Sequence, residues 1–361
     1  MPTRSSMTIS ESETSPLLKN GGYSGHRSSS LTRRVVNFMR GEDEPSWAES
    51  FNFFIFGTWF NILLVFIPLS FISHIMDWDA GLIFFFSLMA IVPLAKLLGE
   101  ATEQLTVKLG ENMSGLINAS FGNAVEVIIG IAALLNGQLL IVQTSMLGSI
   151  LSNLLLVLGC SFLAGGLCHK EGVFNSAGAQ AAASLKTHPK LFISPASHTD
   201  EPNSEETVPR MGTAAAVVAL LSVTVVTAFC AEYLVSSTEE TAVRYSIPKP
   251  FIGVILLPIA GNAADHVTAI WMAMKNKYEL TISICVGSSI QIACFVVPLL
   301  VIVGWIVDQP LTLHFHNFET IVLFVSVFLV NILIMDGKSN YMEGLLFLTL
   351  YLIIALAFWA T

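Results

Sequence analysis

The chain has 361 residues, of which 53% are hydrophobic and only 12% charged, and its formal net charge is −9. With glycine added, the apolar share is about 60%, against roughly 45–50% in soluble domains, which excludes a water-soluble globule. The negative charge excludes a basic surface for nucleic acid, and the five cysteines show no paired metal or disulfide spacing. The composition therefore predicts an integral membrane protein.

Residues 1–50 differ in composition from the rest of the chain. They are rich in Ser and Gly and contain six basic and six acidic residues, so they bury too little apolar surface to fold and are predicted to form a disordered tail. Within the tail, Glu13, Leu17 and Leu18 form an acidic dileucine pattern. Sorting adaptors bind such patterns on the cytosolic side, although patterns this short also arise by chance.

After the tail, nine stretches are long and apolar enough to cross a membrane, which takes about 20 mostly apolar residues. They lie at 51–73, 80–99, 114–135, 139–166, 213–237, 251–274, 281–307, 319–335 and 341–360. The sequence thus predicts an all-α polytopic membrane protein. Its parts are a leading helix (51–73), a first repeat (80–166), a polar cytosolic linker with an acidic cluster (167–212) and a second repeat (213–361).

The distribution of Lys and Arg predicts the orientation in the membrane. With the tail in the cytosol, 15 of the 17 Lys and Arg residues lie on the cytosolic side, as the positive-inside rule requires. Nine spans then place the C-terminal residue, Thr361, on the luminal side.

Two sequence blocks occur twice at one offset. GNAVE at 122–126 matches GNAAD at 261–265, and the pair Gly148-Ser149 matches Gly287-Ser288, in both cases 139 residues later. The offset predicts an internal repeat whose copies run in opposite directions through the bilayer. Inverted repeats are typical of secondary transporters, which bind their substrate near the midplane where helices are broken.

The repeated motifs place two carboxylates, Glu126 and Asp265, near the middle of their spans. An acid at this depth is costly and rarely retained without a function. Asn123 and Asn262 each precede an acid by three residues, which predicts one shared helix face, and Pro258 is expected to break its span and free a carbonyl. Carboxylate, amide, hydroxyl and carbonyl oxygens are the ligands that Ca²⁺ prefers. Pairing of the acids with a polar neighbour is the alternative, but no Lys or Arg lies at mid-span.

Two close carboxylates in a low-dielectric site cannot both stay ionised when the metal is absent. Protons and metal ions then compete for the same oxygens. This competition predicts an exchange of cations for protons.

The GNAVE motif and the GNAAD motif, which is followed by His266, resemble the signature regions of the vacuolar calcium/proton exchangers of the CAX type, in their fungal branch. The flanking blocks SMLGSILSNLLLVLG and VGSSIQ extend the resemblance, which covers 50–175 and 210–361. It implies eleven helices and Ca²⁺/H⁺ exchange in the vacuole membrane, with no cofactor and with Mn²⁺ as an alternative cargo. By position, it implies a metal site of Glu126, Asp265, Asn123, Asn262, Ser149, Asn153, Ser288 and Gln291.

Three further residues are weaker candidates for a proton pathway. Glu103 and Glu232 would lie at opposite mouths of the pathway, or would simply be interfacial acids in contact with water. His266 follows the second acid on a different helix face, which favours a supporting or helix-packing role over direct ligation of the ion. Asp265 departs from the family, which usually has Glu at this position, and the shorter side chain affects affinity and Ca²⁺/Mn²⁺ selectivity.

The repeat also predicts that two helices of the first half are missing. The first-half counterparts of the last two spans fall near 180–196 and 202–221, where the sequence is too polar to span. The chain is therefore expected to transport poorly or not at all, with polar faces near Ser149 and Asn153 exposed to lipid. A Na⁺-coupled Ca²⁺ exchanger and a non-transporting truncated variant remain alternatives. An enzyme is not expected, because the sequence shows no nucleophile–base pair and no nucleotide-binding loop.

Overall fold

The computed structural model describes residues 45–57, 59–109, 117–118, 120–169, 171–174 and 210–360. The described residues are predominantly helical, with two short strands and connecting turns, so the all-α prediction is confirmed. Strand β1 (Gly172–Val173) pairs antiparallel with β2 (Lys338–Ser339), which attaches the start of the predicted linker to a turn in the second half. The predicted sorting residues Glu13, Leu17 and Leu18 lie outside the described residues.

Eleven helices follow one another along the described chain. They are α1 (Trp47–Phe56), α2 (Phe66–Ile75), α3 (Ala80–Leu109), α4 (Ala124–Leu135), α5 (Leu139–Cys168), α6 (Thr213–Arg244), α7 (Lys249–Gly261), α8 (Ala263–Met274), α9 (Tyr278–Ile306), α10 (Asn317–Ile334) and α11 (Tyr341–Ala360). Six of them, namely α3, α5, α6, α9, α10 and α11, are long and apolar enough to cross a membrane. The bent pairs α1–α2 and α7–α8 add two spans if each pair crosses once. The predicted span 114–135 is described only in part, and its second half is α4.

Helix α1 begins earlier than the sequence predicts, inside the supposed tail. A capping box starts it: Ser46 Oγ accepts a hydrogen bond from Glu49 N, and Glu49 Oε2 accepts one from Ser46 N. Ser50 is buried and accepts a hydrogen bond from Gly212 N at 3.2 Å. The predicted tail boundary at residue 50 is therefore wrong, because a local cap begins the helix before the apolar run does.

The two halves share one order of elements, as the internal repeat predicts. In each half a long helix (α3 or α6) is followed by a helix broken at Gly-Asn and then by a helix that contains a π-turn. The π-turns lie at Ser152–Val157 in α5 and Ile292–Val296 in α9, and a third occupies Ile252–Leu256 in α7. π-turns are rare and frequently occur at functional sites, so their positions direct attention to α5, α7 and α9.

The prediction of lipid-exposed polar faces near Ser149 and Asn153 is wrong. Both side chains are buried, with 2% and 0% exposed. Helices α10 and α11, which come from the second half, pack against α5 of the first half and cover it. In the membrane-length window of α5, 61% of the residues are buried, whereas the value for its counterpart α9 is 33%. Each half therefore takes part of its cover from helices of the other half.

Candidate cation site

The two predicted acids occupy the same place in their helices. Glu126 is the third residue of α4, and Asp265 is the third residue of α8. The chain bends by 59° between α7 and α8, at Gly261–Asn262. Each carboxylate therefore lies in the first turn of a half-helix, where free N–H groups and the helix dipole stabilise negative charge. The backbone thus supports the negative charge of both candidate acids.

Glycine is required at the break before α4. A Cβ atom on Gly122 would collide with the carbonyl oxygen of Asn118, which accepts the hydrogen bond of Gly122 N at 2.7 Å. In the second half, Gly261 lies beside the Glu126 carboxylate, where an added Cβ would make an ordinary contact with Oε1 at 3.5 Å. Of the two motif glycines, only Gly122 is therefore required by its surroundings.

The two acids differ in their surroundings. Glu126 is buried and lines a small cavity with Ser145, Met146, Ser149 and residues of α7. Asp265 is only partly buried and lies near the thiol of Cys285. The two carboxylates are close enough for the charge of Asp265 to act on Glu126. The site therefore brings both predicted acids together but protects Glu126 better from its surroundings.

Four of the predicted polar residues form one hydrogen-bond network between the halves. Asn123 Nδ2 donates to Gln291 Oε1 at 2.8 Å, and Ser288 Oγ donates to Asn123 Oδ1 at 3.0 Å. Asn153 Nδ2 donates to Ser288 Oγ at 3.0 Å. The network joins the cap of α4 to α5 and α9, so both repeats contribute to one site.

The remaining pair of predicted residues mirrors part of this network. Asn262 Nδ2 donates to the carbonyl oxygen of Ser149 at 3.3 Å. Asn262 Oδ1 and Asn153 Oδ1 are both buried, and neither has a hydrogen-bond partner among the described residues. Buried acceptors without a donor are costly. Acceptor oxygens of this kind suit a hard cation, which requires acceptors only.

Sequence reasoning placed these residues together but missed how the backbone presents them. Asn123 and Asn262 are the N-cap residues of the two half-helices, three residues before each acid, and neither side chain makes a capping hydrogen bond. Pro258 does not mark the bend at Gly261–Asn262, because it lies before that bend, as the second residue after the π-turn of α7. Pro298 is likewise the second residue after the π-turn of α9. A proline at the same spacing in both helices is the sequence signal that could have predicted the π-turns.

The three weaker candidates lie apart from the network. Glu103 is exposed near the end of α3, where the charge of Arg210 acts on it. Glu232 Oε1 accepts a hydrogen bond from Asn136 Nδ2 at 3.0 Å, just beyond the end of α4. His266 Nδ1 donates to the carbonyl oxygen of Asn262 at 2.9 Å, and its Nε2 is buried without a partner in the described chain. Their role in proton movement stays a prediction.

Metal sites built from acidic, His and Cys clusters are not found here. The described residues contain no group of three or more His, Cys, Asp or Glu side chains that could hold a metal. A cation bound at this site would take its other ligands from amide, hydroxyl and carbonyl oxygens. Such a ligand set carries two negative charges, which balance one divalent ion.

Sequence comparisons identify relatives over most of the chain. The chain is 41% identical to a vacuolar calcium ion transporter of Schizosaccharomyces pombe, over 84% of this chain and 85% of the relative. It is 37% identical to vacuolar cation/proton exchanger 3 of Oryza sativa subsp. japonica (95% and 94%) and 39% identical to a Ca²⁺/H⁺ antiporter of Aphanothece halophytica (82% and 95%).

The alignment with the S. pombe protein is longer than the part of this chain that it contains. It runs over 351 positions and includes 84% of this chain, about 303 residues, so about 48 aligned positions have no counterpart here.

Solved structures share the fold, and a family model matches both halves. The structure of native YfkE matches with a TM-score of 0.72 and 34% identity, over 84% of this chain and all of that chain. An H⁺/Ca²⁺ exchanger, CAX, matches with a TM-score of 0.61 at 15% identity, which supports the fold alone (82% and 87% covered). The model of the sodium/calcium exchanger protein family matches residues 78–185 and 215–360. With both halves matched, the chain belongs to the sodium/calcium exchanger protein family.

Proposed function

We propose that this chain is a Ca²⁺/H⁺ antiporter that moves cytosolic Ca²⁺ into an acidic vacuole in exchange for protons. The observation that carries the proposal is the pair of acids in the first turns of two half-helices, with two buried amide oxygens that find no donor among the described residues. The names of the relatives, which include vacuolar calcium and cation/proton exchangers, support the substrate and the compartment.

In the proposed mechanism, Glu126 and Asp265 bind the ion through their carboxylates. Asn153, Asn262 and the hydroxyl of Ser149 or Ser288 supply neutral oxygens, and the half-helix dipoles stabilise the carboxylates while they are ionised. When the ion leaves, two neighbouring carboxylates in a low-dielectric site take up protons, because both cannot remain charged. Glu103, Glu232 and His266 would carry protons between the site and the two surfaces.

The proposal is tested with the purified full chain in sealed vesicles. An inward-acidic pH gradient without Na⁺ should drive ⁴⁵Ca²⁺ uptake, and a protonophore should abolish it. Uptake that requires a Na⁺ gradient and ignores the pH gradient would instead identify a Na⁺-coupled exchanger. Replacing ⁴⁵Ca²⁺ by Mn²⁺ in the same assay tests the alternative cargo.

A second candidate function is a chain that binds the cation but does not complete the transport cycle. Two observations favour it: about 48 positions of the S. pombe relative are absent here, and α10 and α11 have no counterpart among the described residues of the first half. Since α10 and α11 pack against α5, their first-half counterparts would pack against α9, the counterpart of α5. In the membrane-length window of α9, only 33% of the residues are buried. The loss of two spans, an even number, leaves the orientation of the second half in the membrane unchanged. The site between the two halves is therefore preserved.

Binding and transport separate the two candidates. Ca²⁺ should raise the unfolding temperature of the purified chain in both cases, because a ligand that binds only the folded state stabilises it. Binding without pH-driven uptake would identify the non-transporting variant. Insertion of the corresponding helix pair of the S. pombe relative between residues 174 and 210 should then produce uptake.

A further inference from the structure

The turn between α8 and α9 carries two lysines, Lys275 and Lys277, on either side of Asn276, and all three residues are exposed. Even with Glu279 of the first turn of α9 counted, the turn keeps a net positive charge. Four other described cations each pair with an acid, namely Lys96, Arg244, Lys249 and Lys338. Lys275 and Lys277 form no ion pair with a described residue. Their charges are therefore available to a partner outside the chain.

The corresponding turn of the first half has the same backbone. At the offset of 139 residues, the turn 136–138 between α4 and α5 matches the turn 275–277. Gly137 and Asn276 both have a positive φ, of 68° and 61°. Gln138 N donates to the carbonyl oxygen of the fifth residue before it at 2.8 Å, and Lys277 N does the same at 2.9 Å. The two turns are thus equivalent, and only their side chains differ.

In the first half, the side chains of this turn are held by the protein. Asn136 Nδ2 donates to Glu232 Oε1, and Gln138 Nε2 donates to the carbonyl oxygen of Val235, both at 3.0 Å. Both acceptors belong to α6. At the same offset, the counterpart of Glu232 on α3 is Pro93, which offers no acid to the second turn. The two lysines therefore project into the surroundings instead of back onto the helices.

An exposed apolar strip leads from this turn along α8. Val267, Trp271 and Lys275 are spaced four residues apart and so share one helix face. The side chains of Val267 and Trp271 are 44% and 55% exposed. Lys275 Nζ lies 5.0 Å from the centre of the Trp271 ring, within the range of a cation–π interaction. A Trp with a Lys one turn nearer to water is the arrangement found at the headgroup level of a bilayer.

We propose that the turn 275–277 binds the headgroup of one anionic phospholipid, whose acyl chain lies along Val267 and Trp271. A negatively charged headgroup complements the two lysines, and an acyl chain complements the apolar strip. A zwitterionic lipid offers the chain without net charge, and a soluble anion offers the charge without a chain, so only an anionic phospholipid matches both features. The bound lipid covers an exposed face of α8, the half-helix that carries Asp265.

The experiment counts the lipids bound to the purified full chain in detergent micelles, by native mass spectrometry during titration with phosphatidylserine or phosphatidylcholine. A basic residue near an anionic lipid surface raises affinity about fivefold, so two lysines give a preference of about 25-fold for the first phosphatidylserine. Lys275→Gln and Lys277→Gln should each lower this preference about fivefold, and the double variant should abolish it. Inorganic phosphate should not displace the lipid.

Lys249→Gln is the matched control. It changes the net charge by the same amount, but Lys249 lies at the start of α7, at the opposite end of the α7–α8 pair, and pairs with Glu239 at 2.7 Å. An unchanged preference for phosphatidylserine in this control supports the inference. An equal loss in the control would show general attraction between charges and overturn the site. Absence of a preference in the wild type, or displacement by inorganic phosphate, would overturn it as well.

A second measurement locates the lipid. Bromine atoms quench Trp fluorescence on contact, so phosphatidylserine with brominated acyl chains should quench the wild type more than brominated phosphatidylcholine does. Trp271→Phe should remove this difference, whereas Trp305→Phe should keep it, because Trp305 is 71% exposed but lies near the other end of α9. A difference that persists in Trp271→Phe overturns the placement along α8. None of these measurements involves Ca²⁺, so their outcome is independent of the proposed function.

Discussion

Substitution of Glu126 by Gln removes one of the two charges of the proposed site without changing its shape. Glu126 is buried in the first turn of α4, and its carboxylate faces Gly261 across the interface between the halves. In the variant, Asp265 alone faces a divalent ion, which leaves one positive charge without a partner in a buried place. An uncompensated buried charge costs about 3–5 kcal/mol. At 1.4 kcal/mol per factor of ten, Ca²⁺ binding should weaken by at least about a hundredfold.

Glu319→Gln is the control for this prediction. Glu319 is also buried and also lies in the first turn of its helix, α10, where Oε2 accepts the hydrogen bond of His316 N at 3.0 Å. Both variants are assayed by Ca²⁺-dependent thermal unfolding and by ⁴⁵Ca²⁺ uptake into vesicles. The Glu319 variant should keep wild-type Ca²⁺ affinity. A Glu126→Gln protein that binds Ca²⁺ within tenfold of wild type refutes the two-carboxylate site.

Three further predictions test the rest of the reasoning. Asp265→Glu should strengthen Ca²⁺ and Mn²⁺ binding and shift the preference toward the smaller Mn²⁺, because the added methylene brings the two carboxylates closer; an unchanged Mn²⁺/Ca²⁺ affinity ratio in competition titrations contradicts this. Replacement of Leu17 and Leu18 by Ala should move a tagged protein from the vacuole to the cell surface or endosomes, and unchanged vacuolar fluorescence would make the motif a coincidence. Asp79 accepts a hydrogen bond from Tyr245 OH at 3.0 Å, which lowers the pKa of Asp79. A lowered pKa stabilises the fold above the usual value of about 4, and this stability is lost only as the pH falls through the lowered pKa. Asp79→Asn should therefore lower the unfolding temperature equally at pH 7 and pH 5.5, and a loss confined to pH 7 would contradict the assignment.

The acids and their neighbours could be found from the sequence because their chemistry is local. A carboxylate in an apolar span is conspicuous by itself, and one offset of 139 residues relates Glu126 to Asp265 and Ser149 to Ser288. Membrane spans can be predicted from the sequence as well, because each needs a long apolar run. These features depend on residue type and spacing, and the structure brings the residues together as expected.

The backbone that presents those residues could not be predicted, because distant contacts decide it. The π-turn of α7 packs so closely on α5 that an added Cβ on Gly253 would collide with Thr144, and one on Gly148 would collide with Val254. Such contacts join residues more than 100 positions apart. A single proline, such as Pro258, gives only a local signal, and it therefore marked the break too early.

The burial of the site shows that an inverted repeat cannot be analysed half by half. Helices absent from the first half were expected to expose Ser149 and Asn153, but α10 and α11 of the second half cover both residues. Helix α9 is less covered than α5, with 33% against 61% of the membrane-length window buried, and Asp265 is partly exposed while Glu126 is buried. Each half of the repeat takes part of its cover from the other half, so the enclosure of a site residue depends on helices that its own half does not contain.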